Sequence, residues 1–265
     1  MNLGAIPVDW FVCPVTRETL VRVGNCLKSS VADYCLDKNG YFFDFVPDQI
    51  PVFEKKDWRT WQTLQDNSVV SYTEDPEKNL LVGHRPDGIA FAEFAKFSGK
   101  ILDIGCGPQE IPTHIQHGAS TDAVFVGIDP LVGFQPRGFS FVRGLGECLP
   151  FRDGLFDQTV FATSLDHFIE PIVALREAKR VTKKGGETIV WIGEKSKNAP
   201  KPTIRNAWYD DLKIPDGAED PFHFKRFSPD EFEAFAKEAG QKVSDHQEHR
   251  IDEYKSSHFY RLTSA

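Results

Sequence analysis

The part of the sequence best suited to bind a ligand is the stretch I-L-D-I-G-C-G-P at residues 101–108. An apolar run there leads directly into Gly105 and Gly107, and glycine lets the backbone turn tightly and approach a ligand closely. In open sheets of parallel strands, ligands bind beyond the carboxyl ends of the strands, next to the point where the strand order reverses. The stretch therefore predicts a ligand pocket at a strand end, with Asp103 inside that strand.

The residues after the glycines indicate which ligand this pocket takes. A dinucleotide fingerprint requires a third glycine, and Glu110 holds that position. A carboxylate at the start of a helix would also repel a pyrophosphate. S-adenosylmethionine has no phosphate and carries a cationic sulfonium and ammonium, which suit the acidic Asp103 better. The pattern therefore favours S-adenosylmethionine over NAD.

A second acidic residue, Asp129, follows the apolar run at residues 124–128. It lies roughly twenty residues past the glycine turn, where nucleotide-binding folds hold a ribose diol. A carboxylate accepts hydrogen bonds from both hydroxyls of such a diol. Asp129 is therefore a candidate ribose contact.

Strand-like and helical segments alternate from Lys100 onward. Residues 171–181 form an amphipathic pattern that begins with a proline, which is typical of a first helical turn. A second helix is predicted after Ser228, with a capping-box residue at Glu231. Four apolar runs are predicted strands: residues 101–104, 124–128, 159–162 and 188–192. This alternation predicts an α/β fold with a doubly wound, mostly parallel sheet.

The first 99 residues differ from this pattern, and three segments are predicted. Residues 1–53 alternate short β-prone stretches with turn signals, which predicts a small β-rich module. Residues 54–99 predict a helical lid or linker, in which Trp58, Trp61 and Tyr72 either cover the site or simply pack. Residues 100–265 form the predicted main domain.

Composition limits the partners and the location. The chain has 265 residues and a net charge of −8, whereas proteins that grip nucleic acid through phosphates need a basic surface. No apolar run approaches the roughly 18 residues of a membrane-spanning helix, and the N-terminus is a poor signal peptide. We therefore expect a cytoplasmic protein with a small-molecule substrate. Five widely spaced cysteines predict reduced thiols rather than disulfides.

Three further motifs complete the pattern, at residues 146–157, 160–168 and 174–186. With the glycine turn and the Asp129 segment, they resemble class I S-adenosylmethionine-dependent methyltransferases of the type 11 small-molecule group. The resemblance covers residues 100–193 closely. It implies a seven-stranded Rossmann-like sheet, S-adenosylmethionine as cofactor and a small molecule as methyl acceptor.

The resemblance also implies roles for individual residues. Leu145 stands where family members often carry an aspartate for the adenine amino group, so this chain departs from the family there. The implied cofactor contacts come from four segments: Asp103, Gly105, Cys106 and Gly107; Asp129, Pro130 and Leu131; Glu147, Cys148 and Leu149; and Ser164.

Three residues are candidates for catalysis. The resemblance places His167 at the substrate end of the fourth strand, where it would act as a base or else pack beside the next helix. Asp166 would orient an amine or hydroxyl, or cap that helix. His223 lies in a loop that covers the substrate in related enzymes, and it would contact the substrate or remain part of an aromatic surface loop.

The N-terminal module resembles the small zinc-ribbon-like modules that precede some methyltransferase domains. Those modules use paired cysteines, whereas this chain has Thr16 three residues after Cys13. A structural zinc site needs four close ligands. We therefore expect a degenerate, metal-free module, and no metal site is predicted in the chain.

These observations predict methyl transfer to an oxygen or nitrogen of a small molecule, such as a sugar, a lipid intermediate or a secondary metabolite. An RNA methyltransferase is one alternative, because some zinc-ribbon-bearing relatives act on RNA. A catalytically silent partner that only binds S-adenosylmethionine is another.

Overall fold

Seven strands form the main sheet of the computed structural model, which describes residues 6–47, 53–74, 85–199 and 207–265. The strands are β4 (Lys100–Ile104), β5 (Val124–Asp129), β6 (Ser140–Arg143), β7 (Phe156–Ala162), β8 (Thr182–Lys195), β9 (Gln241–Arg250) and β10 (Lys255–Ser264). A second, antiparallel sheet contains β1 (Val21–Val23), β2 (Cys26–Lys28) and β3 (Asp33–Cys35).

The main sheet has the order β6-β5-β4-β7-β8-β10-β9. Its first five strands are parallel to their neighbours, and β10 runs antiparallel between β8 and β9. The chain fills one half of the sheet from β4 to β6 and then crosses to β7, so the strand order reverses between β4 and β7. The predicted doubly wound, mostly parallel fold is confirmed.

Six helices surround this sheet in the described ranges: α1 (Lys55–Glu74), α2 (Pro86–Ala95), α3 (Thr113–Gly118), α4 (Pro171–Val181), α5 (Ala207–Asp210) and α6 (Pro229–Glu238). Helix α4 has the predicted bounds, with its proline in the first turn. Helix α6 has the predicted capping box, in which Ser228 and Glu231 bond to each other's backbone N–H. No helix in the described residues is both long and apolar enough to span a membrane.

Side chains of the central strands alternate between two apolar layers, as the period of a strand requires. Ile101 packs with α2 and α3 on one face, whereas Leu102 and Ile104 pack with α4 and α6 on the other. Since both faces are covered, these strands are mainly apolar, as parallel strands generally are.

The N-terminal module packs against the main sheet and shares its core. Phe11 is buried against Phe45 and Phe151. The backbone also pairs with the edge strand β6, since Phe45 N–H donates to the Arg143 carbonyl at 2.7 Å and Arg143 N–H donates to the Phe43 carbonyl at 3.0 Å. This pairing covers an edge that would otherwise expose unpaired backbone groups. The boundaries of the module and the lid stay predictions.

The expectation of reduced thiols is wrong for two of the five cysteines. Cys26 and Cys35 are direct cross-strand partners in β2 and β3, with Cα atoms 4.0 Å apart, and they form a disulfide. The strand register brings them together, and their spacing of nine residues did not reveal that register. Cys13, Cys106 and Cys148 are free and buried.

Candidate active site

A cavity opens at the carboxyl ends of β4, β5 and β7, at the place where the strand order reverses. Helix α1 lies over it. The walls come from residues 105–107, 112–114, 128–131, 144–147 and 162–164, and the roof includes Trp61, Gln65, Ser68 and Tyr72. The glycine turn, the Asp129 segment and the motif around Glu147 therefore meet in one site, as the resemblance implied.

The glycine turn has a backbone that other residues adopt only with strain. Gly105 has φ +76° and Gly107 has φ +74°, both in the left-handed region. A Cβ on Gly105 would lie 2.5 Å from the Cβ of Ser164. Ser164 is held in turn by its hydroxyl, which donates to the Ile104 carbonyl at 2.7 Å. Ser164 thus packs directly on the turn, and both glycines leave the cavity floor open.

Asp129 ends β5 inside the cavity and anchors the turns on either side of it. One carboxylate oxygen accepts the Gly107 N–H at 2.8 Å, and the other accepts the Leu131 N–H at 2.7 Å. Burial raises the pKa of Asp129 to about 6, although these two hydrogen bonds oppose that shift. Each oxygen keeps a second lone pair for a ligand hydroxyl. Pro130 and Leu131 line the adjacent wall.

Arg137 is a buried guanidinium that the sequence did not single out, and it holds the two cofactor-side loops together. It is 3% exposed and stacks on Phe141, with Cζ 3.9 Å from the ring centroid. It donates to the carbonyls of Gly107 (2.6 Å), Gln109 (3.2 Å), Leu131 (3.1 Å) and Val132 (2.7 Å). An arginine in a loop is ordinarily exposed, so only the tertiary structure reveals this role.

Glu147 lies in the cavity wall, whereas its two neighbours do not. Its carboxylate accepts the Ile169 N–H at 2.9 Å, and burial raises its pKa to about 7. Cys148 packs in an apolar cluster, and the Leu149 N–H donates to Glu177. Neither residue lines the cavity, because the short helical turn here directs their side chains into the core. The implied cofactor role of Cys148 and Leu149 thus has no support from their position.

Asp103 is also set back from the cavity. It is fully buried, and its Oδ2 lies 2.9 Å from Nε2 of His114. His114 does line the cavity and is packed between Phe91 and Phe97. Asp103 therefore reaches the site through the imidazole it orients. Cys106 lines the cavity and is buried, with its thiol against the position of Gly127.

Helix α1 is tied to the loop that precedes α6, and together they form the roof. The Asn67 side chain donates to the carbonyls of Lys213 and Pro221, each at 2.8 Å. Trp61 and Tyr72 face the cavity, and burial raises the pKa of Tyr72 to about 12. Trp58 stacks on Trp61 at 4.8 Å and belongs to the packing. Trp58 is thus accounted for by packing, whereas a lid role for Trp61 and Tyr72 stays a prediction.

The three candidate catalytic residues come together at one side of the roof. His167 lines the cavity, and its Nδ1 lies 2.8 Å from the Phe222 carbonyl. Its ring packs on that of His223, with centroids 4.4 Å apart. The Asp166 carboxylate lies beside both imidazoles, with Oδ1 at 3.8 Å from Nε2 of His167 and Oδ2 at 3.6 Å from Nε2 of His223. Burial lowers the pKa of His167.

The capping role considered for Asp166 is wrong. The residue that precedes α4 is Glu170, and no side chain caps the helix there. Asp166 instead belongs to a short helical turn of residues 165–167 that follows β7. This turn directs His167 toward the cavity and Asp166 toward His223.

The donors and acceptors of the cavity fit S-adenosylmethionine. The carboxylates of Asp129 and Glu147 suit a ligand with hydroxyls and positive charge. The wall at Gly146 is closed to any side chain, since a Cβ there would lie 2.3 Å from Phe168. Gly146 therefore lets the Phe168 ring pack against the backbone of this wall.

Comparisons with known proteins point to one family. Residues 102–190 match the family model described as a methyltransferase domain. An uncharacterized methyltransferase of Mycolicibacterium gilvum is 34% identical over 107 residues, which are 35% of this chain and 40% of that relative. A ubiquinone biosynthesis O-methyltransferase of Pseudomonas aeruginosa is 28% identical over 159 residues, which are 55% of this chain and 66% of that relative. The chain thus covers less than half the length of the first of these relatives.

A solved structure shares the fold over most of the chain. It is the 1,6-didemethyltoxoflavin-N1-methyltransferase of Burkholderia thailandensis with bound 1,6-didemethyltoxoflavin and S-adenosylhomocysteine, at a TM-score of 0.52 and 14% identity. The alignment covers 82% of this chain and 94% of that one. Residues 102–190 therefore match a methyltransferase domain, and the sheet that contains them has the fold of that solved methyltransferase.

Proposed function

We propose that this protein transfers a methyl group from S-adenosylmethionine to an oxygen or nitrogen of a small molecule. The observation that carries the proposal is one cavity that combines two kinds of chemical group. Asp129, Glu147, the glycine turn and His167 all line it, so carboxylates and close backbone adjoin an imidazole in the same space. A methyl donor and its acceptor need to be held in line within such a space, since alignment accounts for much of the rate enhancement.

The part of the cavity proposed for the cofactor is lined by carboxylate hydrogen-bond acceptors and by the backbone of the glycine turn. Asp129 would accept hydrogen bonds from the ribose hydroxyls, while Gly107 N–H and Leu131 N–H hold its carboxylate in place. Gly105 and Ser164 pack together in the cavity lining and would hold the methionine part, and Glu147 would hold the adenine part. When bound, the cofactor supplies an electrophilic methyl group on a positively charged sulfur.

On the acceptor side, His167 receives the proton that the nucleophile loses. The Phe222 carbonyl can only accept a hydrogen bond, so Nδ1 of His167 carries the hydrogen and Nε2 keeps its lone pair. Because burial lowers the pKa of His167, the imidazole is neutral and able to take a proton at neutral pH. Asp166, at 3.8 Å from that nitrogen, stabilises the imidazolium that results.

The roof and the charge of the chain support a small acceptor. Helix α1 and the loop before α6 cover the cavity with Trp61 and Tyr72, which leaves space for a compact molecule with an apolar face. The net charge of −8 disfavours a polyanionic substrate such as RNA. The names of the Pseudomonas and Burkholderia enzymes also describe methylation of small molecules.

Calorimetric titration tests the cofactor half of the proposal. We expect S-adenosylmethionine and S-adenosylhomocysteine to bind and NAD not to bind, and Asp129→Ala to abolish that binding. Asp122→Ala is the matched control, because Asp122 is exposed just before β5 begins, whereas Asp129 ends the same strand. Failure of both sulfur ligands to bind the folded wild-type chain would refute the proposal.

Turnover tests the acceptor half. A panel of catechols, phenols, sugars and heteroaromatic amines is incubated with methyl-tritiated S-adenosylmethionine. His167→Gln should lower kcat at least about a hundredfold, the size of a typical acid–base contribution, while cofactor affinity stays unchanged. His117→Gln, at an exposed position in α3, should behave like wild type. Cofactor binding without turnover on any acceptor would favour the silent-partner alternative, and salt-sensitive binding of RNA would favour an RNA substrate.

A further inference from the structure

Two imidazoles and one carboxylate meet beside the cavity at distances that suit a metal ion. The candidate ligand atoms of Asp166, His167 and His223 all lie within 4.8 Å of one another. Oδ1 of Asp166 is buried and has no hydrogen-bond partner among the described residues. Buried carboxylate oxygens rarely stay unpaired in folded proteins, so this oxygen is available to a ligand.

Both imidazoles are already oriented as metal ligands usually are. A metal-binding histidine generally donates its other ring N–H to a carboxylate or a backbone carbonyl, which fixes the tautomer. Nδ1 of His167 lies 2.8 Å from the Phe222 carbonyl, and Nδ1 of His223 lies 2.7 Å from a carboxylate oxygen of Asp220. Both partners only accept hydrogen bonds, which places the hydrogens on Nδ1 and the lone pairs on the two Nε2 atoms that face Asp166. Nη2 of Arg226 also lies 3.0 Å from Nδ1 and 3.4 Å from Nε2 of His223, so the guanidinium has to withdraw from this ring when an ion binds.

We propose that Asp166, His167 and His223 bind one divalent transition-metal cation. Two imidazole nitrogens and one carboxylate oxygen suit Zn²⁺, Fe²⁺, Co²⁺ and related ions, whereas Mg²⁺ prefers oxygen ligands and retained waters. With bonds of about 2.1 Å, neighbouring ligand atoms lie roughly 3.0–3.4 Å apart. Nε2 of His167 lies 3.8 Å from Oδ1 of Asp166, and Nε2 of His223 lies 3.6 Å from Oδ2, so each distance exceeds that range by a few tenths of an ångström.

Arg226 is the positive group that competes with such an ion. Its Nη1 lies 3.7 Å from Oδ2 of Asp166, and its Nη2 donates to Asp220 at 3.0 Å. The Arg226 side chain is 45% exposed, and it can give up its contacts with Asp166 and with Nε2 of His223 while it keeps Asp220. A bound cation would then neutralise Asp166, and Arg226 would continue to hold the carboxylate that orients His223.

The site would bind the acceptor, a role that rests on the proposed methyl transfer. Three protein ligands leave at least one coordination position open, which is typical of catalytic rather than structural metal sites. Since His167 lines the cavity, an acceptor hydroxyl can fill that position. The cation lowers the pKa of the bound hydroxyl, and its proton leaves to solvent. When the metal site is occupied, the cation promotes loss of the acceptor's proton. Without the metal, Nε2 of His167 receives that proton.

Metal binding can be measured without cofactor or acceptor. The 265-residue chain is stripped with a chelator and titrated with Co²⁺, Zn²⁺ and Mg²⁺ by calorimetry, and the Co²⁺ absorption spectrum is recorded. We expect one equivalent of Co²⁺ or Zn²⁺ to bind with visible d–d bands, and Mg²⁺ to bind far more weakly. Loss of one of three ligands in Asp166→Asn or His223→Gln should weaken binding at least about a hundredfold. His117→Gln is the control and should bind like wild type.

The outcomes separate this inference from the proposed function. Absence of Co²⁺ and Zn²⁺ binding to the wild-type chain overturns the metal site, whether or not S-adenosylmethionine binds. Binding that survives in both Asp166→Asn and His223→Gln, with circular dichroism showing folded protein, also overturns it, because the ion then lies elsewhere. Metal binding in a chain that fails to bind S-adenosylmethionine supports the site and refutes the methyl-transfer proposal instead.

Discussion

Arg137 offers the sharpest test of how the cofactor cavity is held in shape. It is a positioning residue, because its guanidinium bonds four backbone carbonyls in the loops after β4 and β5. Hydrogen bonds to a charged donor contribute about 1.5–3 kcal/mol each, and they do not add fully. Removing a buried cation also relieves several kcal/mol of desolvation cost. We therefore expect Arg137→Met to lower the free energy of unfolding by only about 2–4 kcal/mol.

The effect on cofactor binding follows from the loops themselves. Without Arg137, the loops at Gly107 and Leu131 lose their common anchor, and the cofactor has to order them when it binds. Fixing the backbone costs about 1–2 kcal/mol per residue. Ordering two residues therefore costs about 3 kcal/mol, which weakens binding about a hundredfold. The cofactor affinity of Arg137→Lys should lie between those of the wild type and Arg137→Met. An ammonium group bonds at one point and cannot span four carbonyls.

Calorimetric titration with S-adenosylmethionine and urea unfolding measure the two effects separately. Arg152→Met is the matched control, since Arg152 is exposed and the substitution is the same. We expect the control to match wild type in both measurements. Wild-type cofactor affinity in Arg137→Met would refute the reasoning, because it would mean that the loops keep their shape without this anchor.

Two further predictions concern the same wall of the cavity. The ribose diol binds ionised Asp129, whose pKa is raised to about 6, so cofactor affinity should rise with pH, level off above about 7 and be about tenfold weaker at pH 5 than on the plateau. Affinity measured from pH 5 to 8 checks this, and a flat profile contradicts it. Gly105→Ala combines left-handed strain of about 1–2 kcal/mol with a clash 2.5 Å from Ser164, and cofactor binding should be lost. Gly185→Ala is the control, because Gly185 has the same left-handed backbone at φ +82° but open space around its Cβ position. Equal losses of cofactor binding in Gly105→Ala and Gly185→Ala would show that the clash with Ser164 is unimportant.

Local patterns sufficed for the elements and for part of the site. Helix α4 and the capping box of α6 were predicted because proline at a first turn and paired Ser228 and Glu231 act within a few residues. Gly105 and Asp129 were predicted for a similar reason, since each directly follows or ends an apolar strand. In parallel sheets such positions meet at one edge.

Side-chain direction in short turns was not predictable in this way. Cys148 and Leu149 adjoin Glu147, yet they pack inward while Glu147 lines the cavity. Asp103 lies in the expected strand, but its carboxylate is bonded to His114 behind the wall. In a short turn, adjacent residues point in different directions, so one faces the cavity and the next faces the core. The sequence motif does not specify which residue takes which direction.

The sequence by itself determined the fold class, the cofactor pocket and the order of its motifs, because these depend on hydrophobic periodicity and on turn chemistry between near neighbours. The tertiary structure alone decided which distant residues meet. The Cys26–Cys35 bond depends on strand register, the anchor at Arg137 depends on burial of a loop, and the meeting of Asp166 with His223 depends on how the loop before α6 returns to β7. Each is a contact between segments whose relative placement is set by packing of the whole core, and no local pattern encodes it.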